Sequence, residues 1–110
     1  MERWLLIVEV NCTDPSREKE FNDWYDNVHV PDVIEPPGVL SGTRYENTNP
    51  AEGRGKYIAS YEIESDDPEQ TLVAFWANVG TLYERGRMSD LLAPVSITTY
   101  RRITGPIESK

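Results

Sequence analysis

Cysteine and histidine each occur once in the sequence, as Cys12 and His29. A single cysteine cannot form an internal disulfide, and one cysteine with one histidine cannot build a His- or Cys-rich metal site. His29, Asp32 and Glu35 also lie on either side of Pro31, which spoils the helical spacing that a shared ion would need. We therefore predict a fold without disulfides and no metal centre.

Basic residues are scarce, because 11 Lys and Arg stand against 19 Asp and Glu and give a net charge of −8. Binding to phosphate groups needs clustered Lys and Arg, so we predict no nucleic-acid partner and no membrane partner. No apolar window is long enough to span a bilayer, and no charged segment followed by an apolar run opens the chain. A cytoplasmic location is the resulting expectation.

The sequence also lacks a Gly-rich phosphate-binding loop and a nucleophile elbow, so it offers no motif for nucleotide binding or for serine-hydrolase chemistry.

With 110 residues and 38% hydrophobic residues, the chain can form one hydrophobic core but not two. It contains no internal repeat and no low-complexity tract. Gly105 and Pro106 end the last predicted strand. We therefore predict one domain over residues 1–104, followed by a tail at 105–110.

The hydrophobic pattern alternates between strand and helix periods along the chain. Strands are predicted at 3–11, 39–46, 56–64 and 93–103. Asp14-Pro15 and Asp67-Pro68 are typical helix starts. The first helix carries one apolar stripe at helical spacing, made by Phe21, Trp24, Tyr25, Val28 and His29. Pro31 is predicted to disturb this helix just past His29, and Gly80 to end the second helix, with short turns at 32–35 and 82–88.

The element order is strand, helix, strand, strand, helix, strand. This order predicts a ferredoxin-like α+β fold (βαββαβ), in which a four-stranded antiparallel sheet carries both helices on one face. The first strand has apolar residues on both faces, so it should be covered from both sides. If the second apolar face stayed uncovered, it would form an exposed apolar patch larger than a soluble monomer usually tolerates. We therefore expect a homodimer formed through the sheet face.

Residues 20–45 read EFNDWYDNVHVPDVIEPPGVLSGTRY. The run has an aromatic-rich helix with a histidine near its end, an acidic residue shortly after, a Pro-Gly pair before the second strand and an Arg-Tyr late in that strand. With the element order and chain length, it resembles the dimeric α+β barrel superfamily and, within it, the EthD-like proteins. The resemblance implies a dimeric α+β barrel with a pocket between helices and sheet in each subunit, able to hold a small, often aromatic or polyketide-like molecule.

His29 is the candidate acid or base, because an imidazole near its reference pKa exchanges a proton at physiological pH. Asp26 and Asp32 lie three residues to either side and are close enough to orient the ring or to raise its pKa. The alternative is that His29 caps the C-terminus of the first helix and hydrogen-bonds a carbonyl. The resemblance favours the functional interpretation. Some superfamily members bind haem through a histidine, but usually at another place in a longer chain, so we rank haem ligation by His29 low.

Arg44 is the second candidate, since a strand-borne arginine can hold a substrate oxyanion or carboxylate. A salt bridge to Glu46, Glu62 or an acidic group of a partner subunit is an equally good explanation. Five tyrosines could place a hydroxyl in the pocket, of which one or two should touch ligand. We take the substrate-binding residues to be Trp24, Tyr25, Tyr45, Tyr61 and Trp76, although the two tryptophans would also serve as core.

These residues predict a cofactor-independent enzyme that acts on a small cyclic, aromatic or polyketide-like metabolite. His29 would be the acid or base, Asp32 its orienting partner, and Arg44 or a tyrosine would stabilise an oxyanion. Cyclisation, isomerisation or elimination, the chemistry of lyases and isomerases, fits one ionisable imidazole. The alternatives are a cofactor-free monooxygenase of an electron-rich phenol and a non-catalytic dimer that binds a small ligand.

Overall fold

The computed structural model describes all 110 residues and contains one four-stranded sheet. Its strands are β1 (Glu2–Cys12), β2 (Val39–Glu46), β3 (Tyr57–Ser65) and β4 (Leu92–Arg101). The strands lie in the order β2-β3-β1-β4, and every neighbouring pair is antiparallel. The four predicted strands are confirmed close to their predicted limits.

The first helical segment begins at Asp14, whose carboxylate accepts a hydrogen bond from the Ser16 N–H at 3.0 Å. It consists of a 3₁₀ turn (Pro15–Arg17), α1 (Glu18–Trp24), a π-helical segment (Tyr25–His29) and α2 (Val30–Val33). The helix therefore passes through His29 instead of ending there.

Pro31 explains why the prediction of a helix disturbed just past His29 was only partly right. In the π-helical segment the Val30 N–H donates to the carbonyl of Tyr25, five residues earlier. This wider turn places Pro31 in the first turn of α2, where its missing N–H costs little. The disturbance thus lies before Pro31 and shapes the backbone that carries His29.

The second helix, α3 (Pro68–Glu84), begins where Asp67 accepts a hydrogen bond from the Gln70 N–H at 3.3 Å. The prediction that Gly80 ends this helix is wrong. Gly80 faces solvent within α3, with no atom within 4 Å of where a Cβ would lie. A solvent-facing glycine costs a helix only about 1 kcal/mol relative to alanine, and the packing of the helix easily exceeds that. The chain leaves the helix near Gly86, whose φ of 70° suits glycine.

Both helical segments cover the same face of the sheet, which we call the helix-covered face. The alternation predicted for β3 is confirmed there, because Tyr57, Ala59, Tyr61 and Ile63 are all buried. They pack with Leu6 and Val10 of β1 and with the helical residues Phe21, Tyr25, Val33 and Phe75. The prediction of a ferredoxin-like α+β fold with helices on one face is confirmed.

The opposite face of the sheet, which we call the helix-free face, carries Leu5 and Ile7 of β1 and their neighbours across the sheet. Both side chains are partly exposed, so one subunit covers β1 on one side only. On β2 a register shift between Val39 and Ser41 leaves Gly42 and Arg44 on the helix-covered face. None of the helices combines the length and the apolar composition required to cross a membrane.

Candidate functional site

A cavity of about 90 Å³ lies between the helices and the helix-covered face, where the family resemblance implies a pocket. Eleven of its thirteen lining residues are hydrophobic, and the polar groups that point to chemistry are those of His29, Tyr25 and Tyr61. A larger groove of about 370 Å³ at one end of the sheet is open to solvent, and its Arg3 is already paired with Glu62 and Glu64. The cavity at His29 is therefore the candidate site.

His29 is almost completely buried, with 6% of its surface exposed. Its ring stacks on Trp24 with centroids 4.6 Å apart, and it meets the Tyr25 ring edge-on at 4.9 Å. Its Nδ1 is buried and has no hydrogen-bond partner. A buried polar atom without a partner is uncommon, so His29 keeps a ring nitrogen whose hydrogen-bonding capacity the chain itself does not use. The alternative prediction that His29 caps the helix end by bonding a carbonyl is wrong.

Burial lowers the pKa of His29 from 6.5 to about 4, because the apolar surroundings disfavour the charged imidazolium. The charge of Asp32 raises this pKa and the charge of Arg44 lowers it, but neither outweighs burial. The imidazole is therefore neutral at physiological pH. A neutral ring has one nitrogen free to accept a proton.

Asp32 makes no hydrogen bond to His29. Both of its carboxylate oxygens accept hydrogen bonds from Arg87, at 2.8 and 3.1 Å, and its carbonyl accepts one from Asn78 at 2.9 Å. The predicted role of Asp32 as orienting partner is thus corrected to a structural one: Asp32 ties α2 to the end of α3. The ring of His29 is oriented by Trp24 and Tyr25 instead.

Tyr25 and Tyr61 are each buried to within 1% of their surface and line the cavity together with His29. Burial raises the pKa of both phenols. The interaction between the two hydroxyl groups opposes this shift at Tyr25 and adds to it at Tyr61. Both side chains are therefore protonated, and because one hydroxyl donates to the other, one of the two remains free to donate a hydrogen bond into the cavity.

Arg44 lies behind Tyr25 and does not line the cavity. Its guanidinium donates to Asp26 at 2.9 Å and to Asn22 at 3.0 Å, and its Cζ lies 4.2 Å from the centre of the Tyr25 ring. The salt bridge is thus to Asp26, and the predicted partners Glu46 and Glu62 are wrong. Arg44 can influence the cavity only through the Tyr25 ring and through its charge.

Gly42, the neighbour of Arg44 on the helix-covered face, is required by close packing. A Cβ at this position would lie 2.8 Å from Cγ1 of Val30 and 3.0 Å from Cε1 of Tyr61. The absence of a side chain lets α2 and the Tyr61 ring approach β2. Gly42 therefore helps to set the position of a cavity-lining phenol.

The other predicted binding residues divide into two groups. Trp76 lines the cavity, and Trp24 forms the back of the site by stacking on His29. Tyr45 does not contribute, because it lies exposed and paired with Ile58 on the helix-free face. It borders a separate shallow groove next to Arg44.

Sequence reasoning missed the rim of the cavity, which is formed by Val79, Tyr83, Met88 and Ile97 among others. Val79 precedes Gly80 and lies at the apolar spacing predicted for the second helix, whereas Tyr83 would have been included only if that helix had been continued past Gly80. Ile97 belongs to the predicted last strand, but its contribution to the cavity was not predicted. Nothing in the sequence indicated that Met88, in the turn after α3, would reach the cavity.

The residues around the cavity suit neither a metal ion nor a haem. No group of three or more His, Cys, Asp or Glu side chains could hold a metal ion. A cavity of about 90 Å³ is smaller than the roughly 300 to 1,000 Å³ usual for ligand pockets. It does not fit a haem bound through the buried His29.

No family model and no curated protein matches the chain, but several solved structures share its fold. The heme-degrader MhuD of Mycobacterium tuberculosis, solved with two hemes in its active site, has a TM-score of 0.66 and 14% identity over 94% of this chain and 98% of that one. A putative antibiotic biosynthesis monooxygenase from Bordetella bronchiseptica has a TM-score of 0.66 and 14% identity, over 94% of this chain and 100% of that one.

An ethyl tert-butyl ether degradation (EthD) family protein from Bacillus halodurans has a TM-score of 0.53 and 16% identity, over 94% of this chain and all of that one. These identities are too low to transfer an activity, but the near-complete coverage of both chains identifies the architecture. The chain therefore shares the ferredoxin-like α+β fold of these proteins, and an EthD family protein is among its structural neighbours.

Proposed function

We propose that the protein is a small-molecule enzyme in which His29 takes a proton from a cyclic or aromatic metabolite bound in the cavity. The observation that carries the proposal is the neutral, buried imidazole of His29, which lines an otherwise apolar cavity and whose Nδ1 has no partner within the chain. A structural histidine would satisfy its ring nitrogens within the chain. His29 instead retains the capacity to accept a proton from a bound molecule.

Proton transfer to His29 would create an imidazolium beside a substrate oxyanion. In a cavity with few polar groups the two charges attract each other strongly, which offsets the low pKa of the resting imidazole. Tyr25 or Tyr61, both protonated, can donate a hydrogen bond to the oxyanion. A tyrosine rather than Arg44 is therefore the proposed oxyanion donor, because Arg44 is held behind the Tyr25 ring.

Chemistry that needs only proton transfer is cyclisation, isomerisation or elimination, and the proposed enzyme performs one of these without a cofactor. The second candidate is a cofactor-free monooxygenase of an electron-rich phenol, favoured by the fold shared with a protein described as a putative monooxygenase. In that reaction the deprotonated phenol supplies the electrons. Dioxygen places one oxygen atom on the ring and releases the other as water, leaving a quinone.

An NMR titration of His29, the only histidine, tests the proposal with a panel of small phenols and lactones. We expect a pKa near 4 in the free protein and a movement of the imidazole resonances on addition of some panel members. A pKa near 6.5 together with resonances that ignore every compound would contradict the proposed site.

We also propose a homodimer formed through the helix-free face. Leu5 and Ile7 are partly exposed there, Tyr100 is exposed beside Leu5, and superfamily members commonly bury this face against a second subunit. Sedimentation at micromolar concentration should give a dimer. Tyr100→Glu should shift it towards monomer, whereas Val73→Glu, on the exposed side of α3, should not. A strictly monomeric wild type would contradict the dimer.

A further inference from the structure

We propose that the cavity at His29 selects an uncharged ligand, namely a hydroxylated ring with an apolar substituent, and rejects the same ring when the substituent ends in a carboxylate. The inference deepens the proposed function by naming the class of substrate, and it rests on the same cavity. It concerns binding, so it can be tested without knowing the reaction.

The lining of the cavity contains no cation and no anion. Its thirteen residues include no Lys, Arg, Asp or Glu, and eleven of them are hydrophobic. The one lining side chain that could become a cation is His29, which burial keeps neutral at physiological pH. A carboxylate placed here would lose its hydration without gaining a charge partner, which is strongly unfavourable.

Two arginines lie next to lining residues, Arg44 beside Tyr25 and Arg87 just before Met88, and neither is available to a ligand. Arg44 uses its two terminal nitrogens on Asp26 and Asn22, behind the Tyr25 ring, and its remaining Nε is buried. Arg87 uses its guanidinium on both carboxylate oxygens of Asp32. Drawing either arginine into the cavity would break these contacts and leave a carboxylate of the protein without its partner.

The polar atoms that do face the cavity suit a hydroxyl group. A hydroxyl both donates and accepts a hydrogen bond. The neutral imidazole of His29 can accept from it, and the phenol of Tyr25 or Tyr61 can donate to its oxygen. A carboxylate only accepts, so it would leave the acceptor nitrogen of His29 unsatisfied.

The rim of the cavity explains why the substituent should be apolar. Ile97 of β4 lines the cavity and is 54% exposed, because neither helical segment covers β4. Tyr83 and Trp76 of α3 lie on the same rim and are also exposed. A cavity of about 90 Å³ holds little more than one ring, so a substituent must leave along these apolar side chains.

Calorimetry with two matched probes tests the inference on the full-length protein at neutral pH. The probes are para-propylphenol and para-hydroxyphenylpropanoate, which share the ring and the three-carbon chain and differ in the terminal carboxylate. We expect the neutral phenol to bind at least about 100-fold more tightly. Equal affinity, tighter binding of the acid, or binding of neither probe would overturn the inference.

Ile97→Arg provides the complementary test, because it places a cation at the rim on an exposed edge strand. We expect it to raise the affinity for the acid relative to that for the phenol at least about tenfold, because the new cation attracts the carboxylate while the propyl chain loses an apolar contact. Val73→Arg is the matched control, since Val73 is a similarly exposed β-branched residue outside the cavity lining. An unchanged acid-to-phenol ratio in Ile97→Arg, or the same change in both variants, would also overturn the inference.

These outcomes separate the inference from the proposed function. Selective binding of the phenol without any turnover of cyclic substrates would uphold the selectivity and refute the enzyme. Turnover of a carboxylated substrate that depends on His29 would uphold the enzyme and refute the selectivity.

Discussion

Replacing His29 with Gln should lower turnover by a factor of about 10² to 10⁴, while ligand affinity changes by no more than about threefold. Gln has a size and polarity similar to those of His29 but cannot accept a proton at physiological pH. The stacking surface of Trp24 and the donors Tyr25 and Tyr61 remain in place, so binding should persist. The measurement compares kcat and the ligand Kd of both proteins, using a compound that moves the His29 resonances.

A control for this variant is Asp32→Asn, which weakens the contact with Arg87 without touching the cavity. If Asp32 only ties α2 to α3, the variant should lower stability and leave turnover at neutral pH nearly unchanged, because His29 is neutral there with or without the charge of Asp32. Full turnover in His29→Gln would refute the role of His29 as base. Ligand binding without product in either protein would identify a non-catalytic binding protein.

The free energy of unfolding should fall by about 3 kcal/mol as the pH drops from 6.5 to 4, because of His29 alone. The pKa of His29 is about 4 in the folded chain and about 6.5 in the unfolded chain. Between these values the unfolded chain binds a proton that the folded chain does not, so acid favours unfolding. Above pH 6.5 both states are neutral at this residue and the effect vanishes.

Comparison of the wild type with His29→Gln isolates this contribution in urea titrations at several pH values. Glu9 and Asp14 also have lowered pKa values, because they accept hydrogen bonds from Arg54 and Ser16 respectively. They too lose stabilising interactions in acid, but equally in both proteins. The stability difference between the two proteins should therefore change with pH between 6.5 and 4. A difference that is constant over this range would show that His29 is not buried in the neutral form.

The fold could be predicted from the sequence because its signals are local. Asp14 and Asp67 each precede a proline, and both prove to accept a backbone N–H at a helix start. The alternation from Tyr57 to Ile63 indicates which face of β3 is buried, whatever lies on the other side of the core. The prediction at Gly80 was wrong because the low helix propensity of glycine is a weak signal, which the packing of a whole helix overrides.

The site was predictable only in part, because its details depend on contacts between distant residues. His29 and Tyr25 were found from one helix stripe, and Tyr61 and Trp76 from their own elements. The pairing of Asp32 with Arg87 spans two elements and leaves no local pattern. The π-helical turn before Pro31, and the burial that lowers the pKa of His29, depend on the packed structure as well.

The central position of β1 determines when the site comes into existence. This strand pairs with β3 and, at its other edge, with β4, where Trp4 meets Arg101. The sheet is therefore complete only after Arg101 has been synthesised, and such distant pairings fold slowly. Since Val8 of β1 and Ile97 of β4 both line the cavity, a nascent chain cannot form the proposed binding site before β4 has been synthesised. Ligand binding would thus indicate that all four strands of the sheet have paired.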